Sequence, residues 1–200
     1  MLVKVALFDF DNTLASGDTI HRLMIQDIKK HPLHLFYFIK TAISFIKYKC
    51  HLCEFELVKN TLLFPLKYMN EHDLKLFYTN HVIPYYYQNV VDELIRLKND
   101  GYHIIICTAS SEIYMKYCDL PIDVMIGTRL DESHKIIGKN CRKKEKIPRI
   151  QEYLESKDLS IDYDQSIGFT DSNDDIYMLS LVKNRRRVLL KTGEIVEFKE

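Results

Sequence analysis

Two aspartates stand two positions apart where the first apolar run of the chain ends. Residues 2–8 are almost entirely apolar, and Asp9 and Asp11 follow in ALFDFDNTLASGD. A carboxylate beside a buried strand is costly unless it is paired or binds a cation, and two neighbouring carboxylates also repel each other. We therefore expect a positive charge between them. The alternative is a polar turn in which Asp11 or Asn12 caps the next helix.

Polar residues also follow two later runs that have the character of buried strands. YHIIICTAS, residues 102–110, ends in hydroxyl side chains, and QSIGFTDSNDD, residues 165–175, ends in acids. The carboxyl ends of parallel strands meet at one edge of an open sheet, so these residues should gather there. The gathered residues are Asp9, Asp11, Thr108, Ser110, Asp171, Asp174 and Asp175.

This set of residues is suited to phosphate chemistry. Carboxylates form the oxygen-ligand site that Mg²⁺ prefers, together with water and substrate phosphate. Hydroxyls and backbone amides of Thr108, Ala109 and Ser110 can donate to phosphate oxygens. Phosphoryl transfer needs a further cation to balance the developing charge, and candidates lie in GKNCRKKEKIPRI, residues 138–150.

Length, charge and cysteine content limit the classes to which the protein can belong. The 200 residues allow one sizeable core, and 28 basic against 28 acidic residues leave no global field to attract nucleic acid. An odd set of five cysteines without a signal-peptide pattern predicts a cytoplasmic protein. Cys50 and Cys53 have C-x-x-C spacing, but no second pair completes a zinc site.

Periodicity predicts a helical insert within an alternating core. Helices are expected at residues 18–30, 32–48, 55–64 and 71–81. Strands and helices alternate from residue 88 onward, with strands expected at residues 102–110, 124–126, 165–170 and 187–191. This order predicts an α/β fold with a parallel sheet between helices. We also expect a hairpin within residues 129–142 and a solvated loop at residues 185–187.

The segment PLHLFYFIKTAISFIKY, residues 32–48, is the longest apolar helix of the insert. It falls short of the roughly 18 uninterrupted apolar residues that a membrane span needs. A narrow polar stripe runs through His34, Tyr37, Lys40, Thr41, Ser44 and Lys47. We expect its broad apolar face to be buried in the protein. The alternative is a helix that lies on a bilayer or an acyl chain.

Four segments in order, DFDNT, IIICTAS, GKNCRKKEK and TDSNDD, resemble the motifs of the haloacid-dehalogenase-like hydrolases. Their spacing is similar to that of the phosphoserine-phosphatase-like subfamily IB. The resemblance implies a Rossmann-like core, residues 1–14 and 88–200, and an all-helical cap, residues 15–87, inserted after the first strand. It also implies Mg²⁺-dependent hydrolysis of a phosphomonoester through an aspartyl-phosphate.

The resemblance assigns roles to single residues. Asp9 would be the nucleophile, and Asp11 would be the general acid and then the general base. Thr108 would bind the phosphoryl group. Lys146 matches the lysine of the family pattern G-x-N-C-x-G-x-x-K, in which Lys143 here replaces the second glycine.

The same resemblance implies the metal ligands and the substrate contacts. Metal ligation would fall to Asp9, Asp11, Asp171 and Asp175. Substrate contacts would fall to Asp18, Thr108, Ala109, Ser110 and Lys146. Phosphoserine phosphatases hold the amino acid with an acid like Asp18 and a cap arginine, but no arginine occurs between Leu23 and Ile95. A free amino-acid carboxylate would therefore lack a bidentate partner.

A second resemblance points to an amphiphilic substrate. The letters HPL before the apolar helix, DSNDD, and a basic segment followed by TGEI are similar to phosphatidylglycerophosphate phosphatases. This implies a lipid phosphate and peripheral contact with the inner face of the membrane through residues 32–48. A phosphotransferase, or a protein that binds a phosphate ligand without turnover, stays open as a further alternative.

Overall fold

The structure is a computed structural model that describes residues 1–199 and is built around a parallel sheet. Its strands are β1 (Leu2–Val3), β2 (Val5–Phe8), β3 (His103–Ser111), β4 (Val124–Thr128), β5 (Ser160–Ile161), β6 (Ile167–Thr170), β7 (Asn184–Val188) and β8 (Ile195–Glu197). Its α-helices are α1 (Thr19–Lys30), α2 (Tyr37–Lys49), α3 (Phe55–Leu62), α4 (Glu71–His81), α5 (Gln88–Asn99), α6 (Glu112–Met115), α7 (Lys146–Ser156) and α8 (Ile176–Leu179). Short 3₁₀ helices lie at Pro32–Phe36, Phe64–Tyr68, Ile83–Tyr85, Lys143–Glu145 and Asn173–Asp175.

The main sheet has six strands in the order β4-β3-β2-β6-β7-β8. Strand β2 lies between β3 and β6 and is parallel to both, and β8 runs antiparallel to β7. Strands β1 and β5 form a separate parallel pair. The predicted α/β class is confirmed. The central position of β2 also puts the ends of β3 and β6 on either side of Asp9.

Alternate residues of β2 enter two different cores. Ala6 and Phe8 face one core, whereas Val5 and Leu7 face the other. The Phe8 ring stacks on Phe169 of β6 with centroids 4.4 Å apart. Because both faces are covered, the strand reads as an unbroken apolar run.

Helices α1 to α4 and the 3₁₀ helices between them form what we call the helical insert, and part of the insert shares the first of these cores. The buried side chains of the insert in that cluster include Leu23, Leu63, Leu66, Leu74, Phe77 and Tyr78, whereas α2 contributes none. The same cluster contains Ala6, Phe8 and the buried face of α5. One continuous apolar core therefore joins the insert to one face of the sheet.

A tight turn connects β2 to α1 and fixes the two aspartates of the first motif. Asn12 has φ 64°, a left-handed conformation that asparagine tolerates better than most residues. Its side chain accepts a hydrogen bond from Gly17 N at 2.8 Å, and its own N–H donates to Ala15 O at 2.7 Å. Asp18 then caps α1 by accepting from Ile20 N at 3.1 Å.

The expected position of the closing strand is wrong. The sequence predicted residues 187–191 preceded by an arginine loop, whereas β7 spans Asn184–Val188 and contains the arginines. Pairing with β6 sets this register, with Thr170 opposite Arg187. Leu189 and Leu190, expected in the strand, lie partly exposed in the turn to β8, which sequence reasoning missed.

The segment 129–142 contains a short hairpin over residues 129–137, as expected. Leu130 and Ile136 form an antiparallel bridge, and backbone hydrogen bonds join the two arms on either side of it. The segment also contacts helix α3: Ile136 N donates to Asn60 Oδ1 at 2.8 Å, and Asn140 N donates to Glu56 Oε1 at 3.1 Å. These contacts hold the segment against α3.

The helix predicted at residues 32–48 forms, but it is oriented opposite to expectation. It begins as the 3₁₀ helix Pro32–Phe36 and continues as α2. Ser44 is the buried residue of α2, whereas Phe36, Ile39 and Ile46 are exposed. The expected burial of the apolar face is wrong, because His34, Tyr37 and Ser44 of the polar stripe face the protein instead.

Replacing Leu7 should destabilise the strand that carries the first motif. Leu7 is fully buried, so Leu7→Ala should lower the free energy of unfolding by roughly 2–5 kcal/mol. The same change at Leu190, which is 57% exposed, should cost less than about 0.5 kcal/mol. Urea denaturation measures both, and equal effects at the two positions would contradict this packing of β2.

Candidate active site

The carboxyl ends of β2, β3 and β6 open into one cavity of about 290 Å³. The backbone keeps these ends in register, since Asp9 N donates to Phe169 O at 3.0 Å. Among the site residues expected from the sequence, the cavity is lined by Asp9, Asp11, Asp18, Thr108, Ala109, Lys146, Asp171, Asp174 and Asp175. The structure therefore brings together all of the expected residues except Ser110, which lies behind Asp11.

A buried lysine forms the floor of the cavity. Lys146 is 2% exposed, and its Nζ lies 2.6 Å from Asp9 Oδ1 and 2.7 Å from Asp175 Oδ1. Burial opposes the charge of this ammonium, but Asp9 and Asp175 outweigh it and raise its pKa above the usual value. Lys144, a neighbour in the sequence, is exposed and lies over the Tyr177 ring.

Asp175 orients the lysine and is itself held. Its Oδ2 accepts a hydrogen bond from Thr170 Oγ1 at 2.9 Å, at the end of β6. Asp9 Oδ1 accepts a hydrogen bond from Lys146, while the contact of Oδ2 within residues 1–199 is with Thr13 Oγ1 at 3.4 Å. Burial raises the pKa of Asp9 to about 8, although Lys146 lowers it. The Asp9 carboxylate is therefore short of positive charge.

Thr13 connects two acids and was missed by the sequence reasoning. Its hydroxyl lies 3.4 Å from Asp9 Oδ2 and 3.2 Å from Asp171 Oδ1. It also accepts from Asp171 N at 3.0 Å, and the side chain is completely buried. The available signal was a hydroxyl residue inside the first motif, four positions after Asp9.

Asp11 is held from both sides of the cavity. Its Oδ1 accepts from Thr19 N at 2.8 Å, and its Oδ2 accepts from Ser110 Oγ at 2.7 Å. The hydroxyls of Thr19 and Ser110 lie 2.6 Å apart. Burial, and then the charge of Asp18, raise the pKa of Asp11. Ser110, expected to contact substrate, is instead placed to position Asp11.

Thr108 and Ala109 follow the expected placement at the cavity wall. Thr108 is buried, and its Oγ1 accepts from Ser110 N at 3.0 Å. That acceptance leaves the hydroxyl proton of Thr108 free to donate to an anion in the cavity.

Asp18 and Asp174 lie at the rim of the cavity. Asp18 serves as the N-cap of α1. Asp174 pairs with Arg142 at 2.9 Å and with Lys143 at 3.4 Å. Burial acts in the opposite direction, but these two cations lower the pKa of Asp174. Asp174 is thus directed toward cations of the rim rather than toward Asp9.

Lys59 on α3 is a cation that the sequence reasoning did not find. Its side chain is 7% exposed and lines the cavity, and it has no ion pair or hydrogen bond within residues 1–199. Burial lowers its pKa, while the more distant charges of Asp18 and Asp11 oppose that shift. In the sequence it looks like any lysine of an amphipathic helix. The insert lacks an arginine, but Lys59 brings a positive charge to the same cavity.

The donor set fits Mg²⁺ on grounds of charge. Within residues 1–199, Lys146 is the cation in direct contact with Asp9 and Asp175, and Asp171 has no ion pair, so three carboxylates share one bound ammonium. Burial also raises the pKa of Asp171, as it does for Asp9. No group of three or more acidic, cysteine or histidine side chains within residues 1–199 converges as a complete metal site. Mg²⁺ needs only one or two carboxylates beside water and phosphate, so the set remains suitable.

Comparison with known proteins identifies the family of this fold. The family model of haloacid dehalogenase-like hydrolases matches residues 6–180. No curated protein matches the chain.

Several solved structures share the fold at low sequence identity. A protein of unknown function from Bordetella pertussis Tohama I has a TM-score of 0.76 at 17% identity, over 92% of this chain and 89% of that one. A substrate-bound phosphoserine phosphatase has a TM-score of 0.63 at 15% identity, over 96% and 89% of the two chains. A phosphoserine phosphohydrolase-like protein from Francisella tularensis subsp. tularensis SCHU S4 has a TM-score of 0.59 at 16% identity, over 91% and 85%.

Removing the buried ammonium should destabilise the fold. Lys146→Met would leave Asp9 and Asp175 without their 2.6 and 2.7 Å partner. In metal-free buffer the free energy of unfolding should fall by roughly 3–5 kcal/mol, the usual cost of an uncompensated buried charge. Lys144→Met is the matched control, because Lys144 is exposed, and urea denaturation should show little change there. Equal stabilities of the two variants would contradict the ion-pair assignment.

Proposed function

Because the chain belongs to the haloacid dehalogenase-like hydrolases, we propose that it hydrolyses a phosphomonoester with Mg²⁺, through an aspartyl-phosphate formed on Asp9. The observation that carries this proposal is the 2.6 Å contact of Lys146 Nζ with Asp9 Oδ1 at the floor of the cavity. A fixed carboxylate beside a cation can attack phosphorus while the cation balances the charge of the phosphoryl oxygens.

In the first step an oxygen of Asp9 bonds to phosphorus, and the bond between phosphorus and the leaving oxygen breaks. Asp11 gives its proton to that leaving oxygen. The raised pKa of Asp11 supports this role, because it increases the protonated fraction near neutral pH. Ser110 and Thr19 hold Asp11 in place through both carboxylate oxygens.

In the second step water attacks the phosphorus of the aspartyl-phosphate. Asp11, now ionised, takes a proton from that water, and the bond between phosphorus and the Asp9 oxygen breaks. Inorganic phosphate leaves, while Asp9 returns to the carboxylate form and Asp11 to the acid form. Both carboxyl groups are then in their starting protonation states for the next cycle.

The phosphoryl oxygens would be bound by the Thr108 hydroxyl, the backbone amides around Ala109 and the Lys146 ammonium. The carboxylates of Asp9 and Asp171, with the backbone carbonyl of Asp11, would hold Mg²⁺. When bound, this ion supplies positive charge to the phosphate and its surroundings. Asp175 contacts Lys146 and Thr170, which supports a role in positioning the lysine and the metal shell.

Cations of the cavity wall other than Lys146 support a leaving group that carries a second anion. Lys59 comes from α3 and Arg142 from the core, and both line the cavity. Phe55 lines it too, with the Arg142 guanidinium 4.9 Å from its ring centroid. A lipid phosphate similar to phosphatidylglycerophosphate is the second candidate substrate, favoured by the exposed apolar helix next to α3. Five free cysteines support a reducing, cytoplasmic setting for either substrate.

Phosphate release from para-nitrophenyl phosphate tests the function. Asp9→Asn should lower the rate by more than roughly 1,000-fold, because an amide cannot form the aspartyl-phosphate. Chelation of divalent ions should abolish the wild-type rate, and added Mg²⁺ should restore it. Asp92→Asn, an exposed change on α5, is the matched control and should keep full activity.

The same assay separates the alternatives. Retained phosphate release by Asp9→Asn would show that Asp9 is not the nucleophile. New phosphoesters formed in the presence of added alcohols would identify a phosphotransferase, because an alcohol then replaces water in the second step. Binding of inorganic phosphate with no turnover of any ester would identify a binding protein.

Lys59 should act on substrate affinity more than on the chemical step. Lys59→Met should raise KM for an ester with a second anion, such as phosphoglycolate, by roughly tenfold or more, the value of one charged hydrogen bond. KM for para-nitrophenyl phosphate and both kcat values should change little. Lys67→Met, on the exposed surface of the insert, is the control. Equal KM changes for both esters would contradict a contact between Lys59 and the leaving group.

A further inference from the structure

One side of the insert presents a continuous apolar surface to solvent, which we call the apolar face. It is formed by the 3₁₀ helix Pro32–Phe36 and by α2, and its members are Leu33, Leu35, Phe36, Ile39, Ile43 and Ile46. Leu33 is 90% exposed, and Phe36 and Ile46 are 61% and 62% exposed. Contiguous exposed apolar residues of this size mark an interaction surface.

Internal contacts fix the orientation that exposes this face. The His34 ring nitrogen Nδ1 lies 2.7 Å from Asp27 Oδ2, and the hydroxyls of Tyr37 and Tyr68 are 2.5 Å apart. Tyr37 also stacks on Phe64 with ring centroids 4.6 Å apart. The helix thus directs His34, Tyr37 and Ser44 toward the protein, whereas Lys40 and Lys47 stay exposed, and rotation to bury the apolar face would break these contacts.

The apolar face lies in a segment of the chain that carries lysines and no acidic residue. Residues 28–53 contain no aspartate or glutamate. They contain five lysines: Lys29, Lys30, Lys40, Lys47 and Lys49. The whole chain has a formal net charge of zero, so this charge is a local feature. Apolar side chains bordered by lysines are typical of helices that lie on anionic bilayers.

We propose that the apolar face docks on an anionic lipid bilayer, with α2 lying in the interface and its lysines among the headgroups. No helix among residues 1–199 is long and apolar enough to cross a bilayer, so the contact is peripheral. Helix α2 contacts α3, whose Phe55 and Lys59 line the cavity. Docking therefore holds the cavity one helix away from the lipid headgroups.

Charge favours a bilayer over a second copy of the chain. A twofold interface through the apolar face would bring the same lysines of two molecules together. Their like charges would repel each other, whereas anionic headgroups attract them. An anionic lipid surface is therefore the partner that matches both the apolar side chains and the lysines.

Vesicle sedimentation of the full chain tests docking without reference to catalysis. The protein should bind vesicles of equimolar phosphatidylcholine and phosphatidylglycerol more tightly than vesicles of phosphatidylcholine alone, and added salt should weaken binding. Ile39→Gln with Ile46→Gln should reduce binding by roughly tenfold or more, because two apolar anchors are lost. Leu76→Gln with Ile95→Gln is the matched control, since these residues are partly exposed on α4 and α5. This control should bind as the wild type does.

A second pair of substitutions tests the charge. Lys40→Gln with Lys47→Gln should reduce binding to the anionic vesicles by about fivefold for each lysine. Binding to phosphatidylcholine vesicles should not change. Circular dichroism and para-nitrophenyl phosphate hydrolysis should stay at wild-type levels for all these variants, which separates docking from folding.

The proposal would be overturned if the wild type did not sediment with anionic vesicles, or if the Ile39→Gln/Ile46→Gln variant bound them as well as its control does. It would also be overturned if the wild type formed a dimer without binding vesicles and the Ile39→Gln/Ile46→Gln variant were a monomer. Light scattering detects that dimer and would assign the face to a second copy. Asp9→Asn should bind vesicles normally, so loss of hydrolysis and loss of docking are distinguishable outcomes.

Discussion

The pairing of one buried lysine with carboxylates from two strand ends is the constraint on which the site depends. Lys146 begins α7, Asp9 follows β2, and Asp175 follows β6. An ammonium that is 2% exposed is stable only where both acids are already in place. These ion pairs therefore depend on the parallel register of β2 and β6. In that register Phe8 lies opposite Phe169, and their rings stack inside the protein.

The insert is tied to this site through polar and apolar contacts together. Asp11 accepts hydrogen bonds from Thr19 at the start of α1 and from Ser110 at the end of β3. The backbone of segment 129–142 donates to Glu56 and Asn60 on α3. These contacts and the shared apolar core hold α3 in place, and α3 carries Lys59 into the cavity wall.

Sequence reasoning was strongest where burial and charge conflict. Asp9 and Asp171 follow apolar runs at the carboxyl ends of predicted parallel strands, so their convergence at one cavity could be foreseen. The local sequence pattern says less about which face of a helix is buried. It predicted a helix over residues 32–48, but whether His34 or Ile39 faces inward depends on partners that are distant in sequence. Lys59, the Thr13 hydroxyl and the register of β7 were missed for the same reason, because each depends on tertiary contacts.

Lys59, in the cavity wall, does not require the leaving group to carry a planar carboxylate. An arginine fork matches a carboxylate through two parallel hydrogen bonds, whereas a lysine is a point charge that accepts an anion of any shape. Lys59 therefore suits a phosphodiester as well as a carboxylate. Phe55 beside it provides apolar contact, and α2 carries the exposed apolar face on the next helix. A phosphate ester with a second anion and an apolar tail would satisfy all three features at once, whereas a small polar ester would use only the cations of the cavity wall.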